Sequence, residues 1–158
     1  MGTRMELVAG QARDVLVAIG TEDREGLQDT ARFPAYLSLG GGIDPTWLDL
    51  FAEAARNTTG QEAPTDFLDA RRELDGPGEM SDGLVVERVD PAWVTAVARI
   101  PDGSIDRLAG RWIDRIEAEF GPVGSDEKPW IRDLAGQIVA FCRRADLSPD
   151  VLFLWALS

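Results

Sequence analysis

The sequence contains no histidine. That removes imidazole acid–base chemistry, Ser–His and Cys–His nucleophile pairs, and the commonest transition-metal ligand. It has one cysteine, Cys142, so no internal disulfide can form. This fits a reducing compartment, and a cytoplasmic location is expected. Lys128 is the only lysine and Tyr36 the only tyrosine. No apolar run approaches the ~18 residues of a membrane-spanning helix. The opening residues, Met-Gly-Thr-Arg-Met-Glu, lack the apolar stretch of a secretory signal.

What is present describes an ordinary globular chain. Its 158 residues lead us to expect one domain, 1–158. At 44% apolar and 28% charged it has too much apolar material for a disordered chain. Sixteen Lys and Arg stand against 28 Asp and Glu, a net charge of −12. Neutralising a phosphate backbone takes clustered cations, so nucleic acid is not an expected partner. Anionic membranes are disfavoured for the same reason. A basic protein partner is compatible with the charge, as is a surface that only keeps the chain soluble.

The last thirty residues carry the clearest pattern. Trp130, Ile131, Leu134, Ile138, Phe141 and Cys142 fall on one helical stripe, and Arg143 and Arg144 sit where cations suit the helix C-terminus. Asp146 to Asp150 forms a turn around Ser148-Pro149. Val151 to Leu157 is short, aromatic and branched, which predicts a buried strand. On that stripe Cys142 reads as an inert core thiol.

Earlier segments follow the same rules. Met5 to Ala9 suits a strand. Gln11 to Ile19 carries Ala12, Val15, Leu16 and Ile19 at helical spacing with Gly20 as a stop; its apolar run also suits a strand, and helix is favoured because Ala12 and Asp14 lead into it. Thr21 is expected to cap a second short helix. Phe33 to Leu39 reads as extended, ending in Gly40-Gly41-Gly42. This triplet is a hinge or tight turn and not a phosphate loop, since Ile43-Asp44 follows it where Lys-Ser/Thr would be needed. Asp44-Pro45 opens a helix with Trp47, Leu48, Phe51, Ala54 and Ala55 inside.

The opening recurs at Asp90-Pro91-Ala92-Trp93, which we read as shared capping chemistry and not as a repeat. Pro64 to Leu74 is a helix candidate with Asp66, Asp69 and Glu73 on one face, expected to be a solvated charged surface. Asp75 to Gly83 is the most loop-like stretch and the best candidate for a lid. Leu84 to Val89 reads as a strand. Ser104 is expected to cap a long helix with Ile105, Leu108, Trp112, Ile113, Ile116 and Phe120 in register.

From Leu84 onward the order is a strand, VDPAWVTAVARIPDGSIDRLAGRW, a helix ending IVAFCRRA, a turn and the closing VLFLWALS. This half of the chain resembles the C-terminal half of the YfbM-like family of uncharacterised bacterial proteins. The resemblance implies a compact α+β fold and carries over no activity and no site residue. The expected class is α+β, predominantly helical, with a small sheet whose C-terminal strand pairs near Leu84–Val89.

Two functions fit these residues. One is a non-catalytic acidic binding protein with a basic protein partner. The other is a small-molecule binder or His-independent enzyme. Its pocket would lie near Gly40–Gly42, with Tyr36 and Trp47 as aromatic walls and Asp44 and Ser38 as polar groups. Asp44 as a base would need burial to raise its pKa, and its capping role opposes that. No catalytic residue, cofactor or metal ligand is assigned.

Overall fold

The computed structural model describes residues 3–21, 25–40, 43–60, 66–69 and 85–157. Among these, four strands form one antiparallel sheet: β1 (Thr3–Gly10), β2 (Ala35–Gly40), β3 (Val85–Arg88) and β4 (Asp150–Leu157), in the order β2-β1-β4-β3. The helices are α1 (Ala12–Gly20), α2 (Thr46–Thr59), α3 (Pro91–Ala98), α4 (Ile105–Phe120) and α5 (Lys128–Ala145), with short 3-10 turns at Glu25–Gln28 and Asp102–Ser104. The chain is thus α+β and predominantly helical, and its C-terminal strand pairs with β3, Val85 facing Trp155 and Arg88 facing Leu152.

The two central strands explain the apolar run at the C-terminus. β1 and β4 pair along their whole length, from Thr3–Leu157 to Gly10–Asp150. Both are covered on two faces, so β4 is apolar at every position after Asp150 and β1 from Leu7 to Ala9, instead of alternating. Met5, Leu7, Ala9, Val151 and Phe153 face a large core shared with α2, α3, α4 and α5. Val8, Leu152 and Leu154 face a smaller core with Ala12, Val15 and Ile19 of α1 and with Leu27 and Phe33. Gly10 ends β1 where a Cβ would lie 2.7 Å from the Phe33 ring, so glycine there lets Phe33 close the smaller core.

The two Asp-Pro openings use one mechanism. Asp44 Oδ1 accepts the Thr46 N–H at 2.9 Å, and Asp90 Oδ1 accepts the Ala92 N–H at 2.9 Å. Each satisfies a donor that the first helical turn leaves open. Gly60, at φ 71°, closes α2 in the left-handed region. α1 has no such local cap: Gln11 offers no side-chain bond, and the Ala12 N–H donates instead to Asp150 Oδ2 at 3.0 Å, across the sheet end.

Several expectations are corrected. Thr21 does not start a helix; its hydroxyl donates to the Val17 and Ala18 carbonyls at the end of α1. Residues 66–69, expected within a helix, are extended, and Leu68 bridges Val89 in antiparallel fashion. Asp69 is accordingly buried and not part of a solvated face; Glu73 and the proposed lid at Asp75 to Gly83 lie outside the described residues. Ser104 makes no side-chain cap, because the 3-10 turn at Asp102–Ser104 runs straight into α4. Trp130 and Phe120 were both placed on core stripes, yet they are 43% and 50% exposed. Trp130 lies in the first turn of its helix and Phe120 in the last turn of its own, at the helix ends.

Candidate functional site

Aromatic rings build the interior of the larger core. Phe120, Trp47, Trp112, Phe51, Trp93, Phe67 and Phe153 form a continuous series, each ring touching the next at centroid distances of 4.8–6.4 Å. Most of these contacts are edge-to-face or tilted, the arrangements the ring quadrupole favours. The indole N–H groups are also satisfied: Trp93 Nε1 donates to the Leu48 carbonyl at 3.1 Å and Trp112 Nε1 to the Trp47 carbonyl at 2.8 Å. Trp47, half-buried at the start of α2, therefore joins this ring series.

Asp44, exposed beside it, is engaged in capping α2. One turn on, Asp49 Oδ1 accepts the Phe67 N–H at 2.9 Å. Burial is the main force holding the Asp49 pKa above its ordinary value; the Phe67 N–H opposes the shift, and the Asp66 and Asp44 charges add to it. A carboxyl shifted this way takes up its proton in the native state first, so its cost to stability is full above the folded pKa and relieved as pH falls through it. We expect Asp49→Asn, which keeps an acceptor for Phe67, to raise the urea midpoint at pH 7 and to lose that advantage near pH 4. A lower midpoint at pH 7 would contradict this account. Among the described residues no group of His, Cys, Asp or Glu is arranged to hold a metal ion.

Tyr36 lies on the other side of the sheet. It pairs in register with Val8, packs against the smaller core, and its hydroxyl donates to Glu6 Oε2 at 2.8 Å. Glu6 is only 2% exposed. Tyr36 and Trp47 are thus held on opposite faces of the sheet, and Ser38 is exposed next to Tyr36 on β2. Gly41 and Gly42 lie outside the described residues. Cys142 is fully buried, and burial, aided by the Asp146 charge, pushes its thiol well above its ordinary pKa, so no thiolate forms there near neutral pH.

A cavity among the described residues lies elsewhere. A cleft of about 600 Å³ opens between the start of α1 and the ends of β3 and β4. Its walls include Leu16 and Val17 of α1 and Pro149; its polar groups are Gln11, Arg13, Arg88 and Asp150. Val17 is 55% exposed, an apolar side chain left in solvent on an otherwise packed helix. Arg88 Nη1 pairs with Asp150 Oδ1, and both side chains are largely covered. The volume lies within the ~300–1,000 Å³ typical of small-molecule sites. Sequence reasoning passed over these residues. Arg13 and Arg88 carry no sequence signal of their own, and Asp150 is read only as part of a turn. Only the β1–β4 register brings residues 11–17 against 149–150.

No family model matches the chain, and no curated protein does. Among solved structures, a protein of unknown function, YfbM from Escherichia coli, is similar at 9% identity, with a TM-score of 0.38, covering 98% of this chain and 99% of that one. The likeness is weak and structural only.

Proposed function

We propose that this chain works by binding, and that it takes a small molecule in the cleft between α1 and the β3–β4 ends. One observation carries the reading: an open cavity of ligand size where exposed Val17 and half-buried Leu16 face Arg13 and the Arg88–Asp150 pair. Apolar walls with a few placed polar groups are what small-molecule sites share. With no histidine in the sequence and its one thiol held protonated, binding without catalysis is the simplest use of such a site. A metabolite library screened by thermal shift tests this. At least one compound should raise Tm by several degrees at saturation, and Val17→Asp should abolish the rise. A library without effect, or a rise that survives Val17→Asp, counts against the cleft.

A second reading keeps the basic protein partner. The net charge is −12, and the α4–α5 corner exposes Phe120 and Trp130 with acidic Asp126 and Glu127 between them in sequence and Glu119 just before. Aromatic anchors inside a charged rim suit a protein interface, and the charge would speed encounter at low salt. A partner retained at low ionic strength, released by salt, and lost with Phe120→Ser/Trp130→Ser would support it. Retention indifferent to both would refute it.

A bacterial, cytoplasmic origin and membership of the YfbM-like family belong to the same proposal. They are supported by the lone cysteine and by the pattern of residues 84–157. No described helix is long and apolar enough to cross a membrane.

A further inference from the structure

We infer that the cleft beside α1 takes an amphipathic anion: a carboxylate or phosphate head held by Arg13 and Arg88, with an aliphatic tail along Leu16 and Val17. This rests on the reading of the cleft as a binding site and adds the chemical class of its occupant.

The cleft contains two guanidinium groups, Arg13 and Arg88, and one carboxylate, Asp150. Both oxygens of that carboxylate are engaged: Oδ2 accepts the Ala12 N–H at 3.0 Å and Oδ1 takes Arg88 Nη1. Asp150 is therefore already paired at both oxygens with donors of the fold itself. Arg13 is exposed and has no ion pair among the described residues. The Arg88 Nε is buried without an acceptor among them. The Gln11 side chain makes no capping bond. What remains unspent is a surplus of N–H donors and a local charge of about +1, in a chain whose total is −12. Guanidinium groups match carboxylate and phosphate oxygens in paired, charge-assisted bonds. Beside them, Ala12, Leu16, Val17 and Pro149 offer an apolar wall with no polar side chain to satisfy. A head that needs donors and a tail that needs none fit the two halves of the cavity.

The test compares four eight-carbon probes on the whole chain: octanoate, octyl phosphate, octylammonium and octanol. Methyl NMR signals of Leu16 and Val17 report occupancy of the cleft, and titration gives the Kd. One or both anions should bind about tenfold tighter than octanol, and octylammonium weakest. The tighter of the two anions tells carboxylate from phosphate. Arg13→Gln should remove about tenfold of the anion affinity and leave octanol unchanged, while Arg13→Lys should restore part of it; Arg13 is exposed and unpaired, so these variants should fold. If octanol or octylammonium shifts Leu16 and Val17 as readily as the anions do, the inference about charge is overturned and the cleft still stands as a site. If all four probes leave both methyl signals unmoved, the amphipathic occupant is overturned, and the library screen above decides the cleft separately.

Discussion

Phe51→Ala should lower the stability of this protein by about 3–5 kcal/mol, the usual cost of emptying a buried phenylalanine site. Phe51 has no exposed surface and sits at the middle of the ring series, 4.8 Å from Trp112 at 86° and 6.2 Å from Trp93. The truncation therefore removes apolar burial and two ring contacts together, each such contact adding about 0.5–1.5 kcal/mol beyond area alone. The neighbours are large, stiff and hydrogen-bonded at their indole nitrogens, so the cavity cannot easily collapse. Against a typical total of about 5–15 kcal/mol the loss is severe, and Tm should fall on the order of 10 °C. Phe120→Ala, at the half-exposed end of the same series, should cost less than about 1.5 kcal/mol. Urea unfolding of the two variants checks the contrast. Equal losses would mean that the series does not hold the core in the way its geometry suggests.

Asp150→Ala should be the other large effect, at about 2–4 kcal/mol. Its side chain has two unrelated duties. It caps α1 from the far end of the sequence, a bond worth about 1 kcal/mol, and it neutralises Arg88 in a site where both side chains are largely covered. Removing one partner leaves a mostly buried guanidinium uncompensated, which is the costly way to break such a pair. Asp150→Asn should lose less than the alanine variant, because an amide oxygen still accepts the Ala12 N–H. The double variant Arg88→Met/Asp150→Ala should recover part of the loss, since the stranded charge goes with it. Denaturant midpoints of the three variants measure this cycle, and a double variant no better than Asp150→Ala would sink the ion-pair explanation. Because Arg88 and Asp150 also line the cleft, the same measurements show whether the site is built on a pair that the fold itself needs.

The wall proposed from sequence is distributed differently in the structure. Tyr36 and Trp47 are eleven residues apart, and an extended segment followed by a turn is compatible with their meeting. The alternation of side chains along β2 puts Tyr36 toward α1, while the helix after the turn carries Trp47 into the opposite core. Which face a strand residue takes depends on which face its neighbours bury, and no local spacing encodes that. The same holds for Glu6. Its burial beside Tyr36 requires β1 to lie between β2 and β4, an order set by pairing across more than a hundred residues.

Signals that act within a turn or two of chain were readable in advance. The apolar spacing of Leu134, Ile138, Phe141 and Cys142 and the caps at Asp44 and Asp90 all express short-range sterics and hydrogen bonds, so α2, α3, α5 and β4 follow from residue order. Contacts that close long loops were not readable. The Asp150 cap on α1 spans 138 residues. The cleft exists only because that contact and the β1–β4 register hold Leu16 and Val17 over the end of the sheet, leaving one edge of α1 with no described segment packed on it. Hydrophobic patterning decides that a side chain prefers burial. Whether a partner arrives to bury it depends on the packing of distant segments, which is why Trp130, Phe120 and Val17 end in solvent.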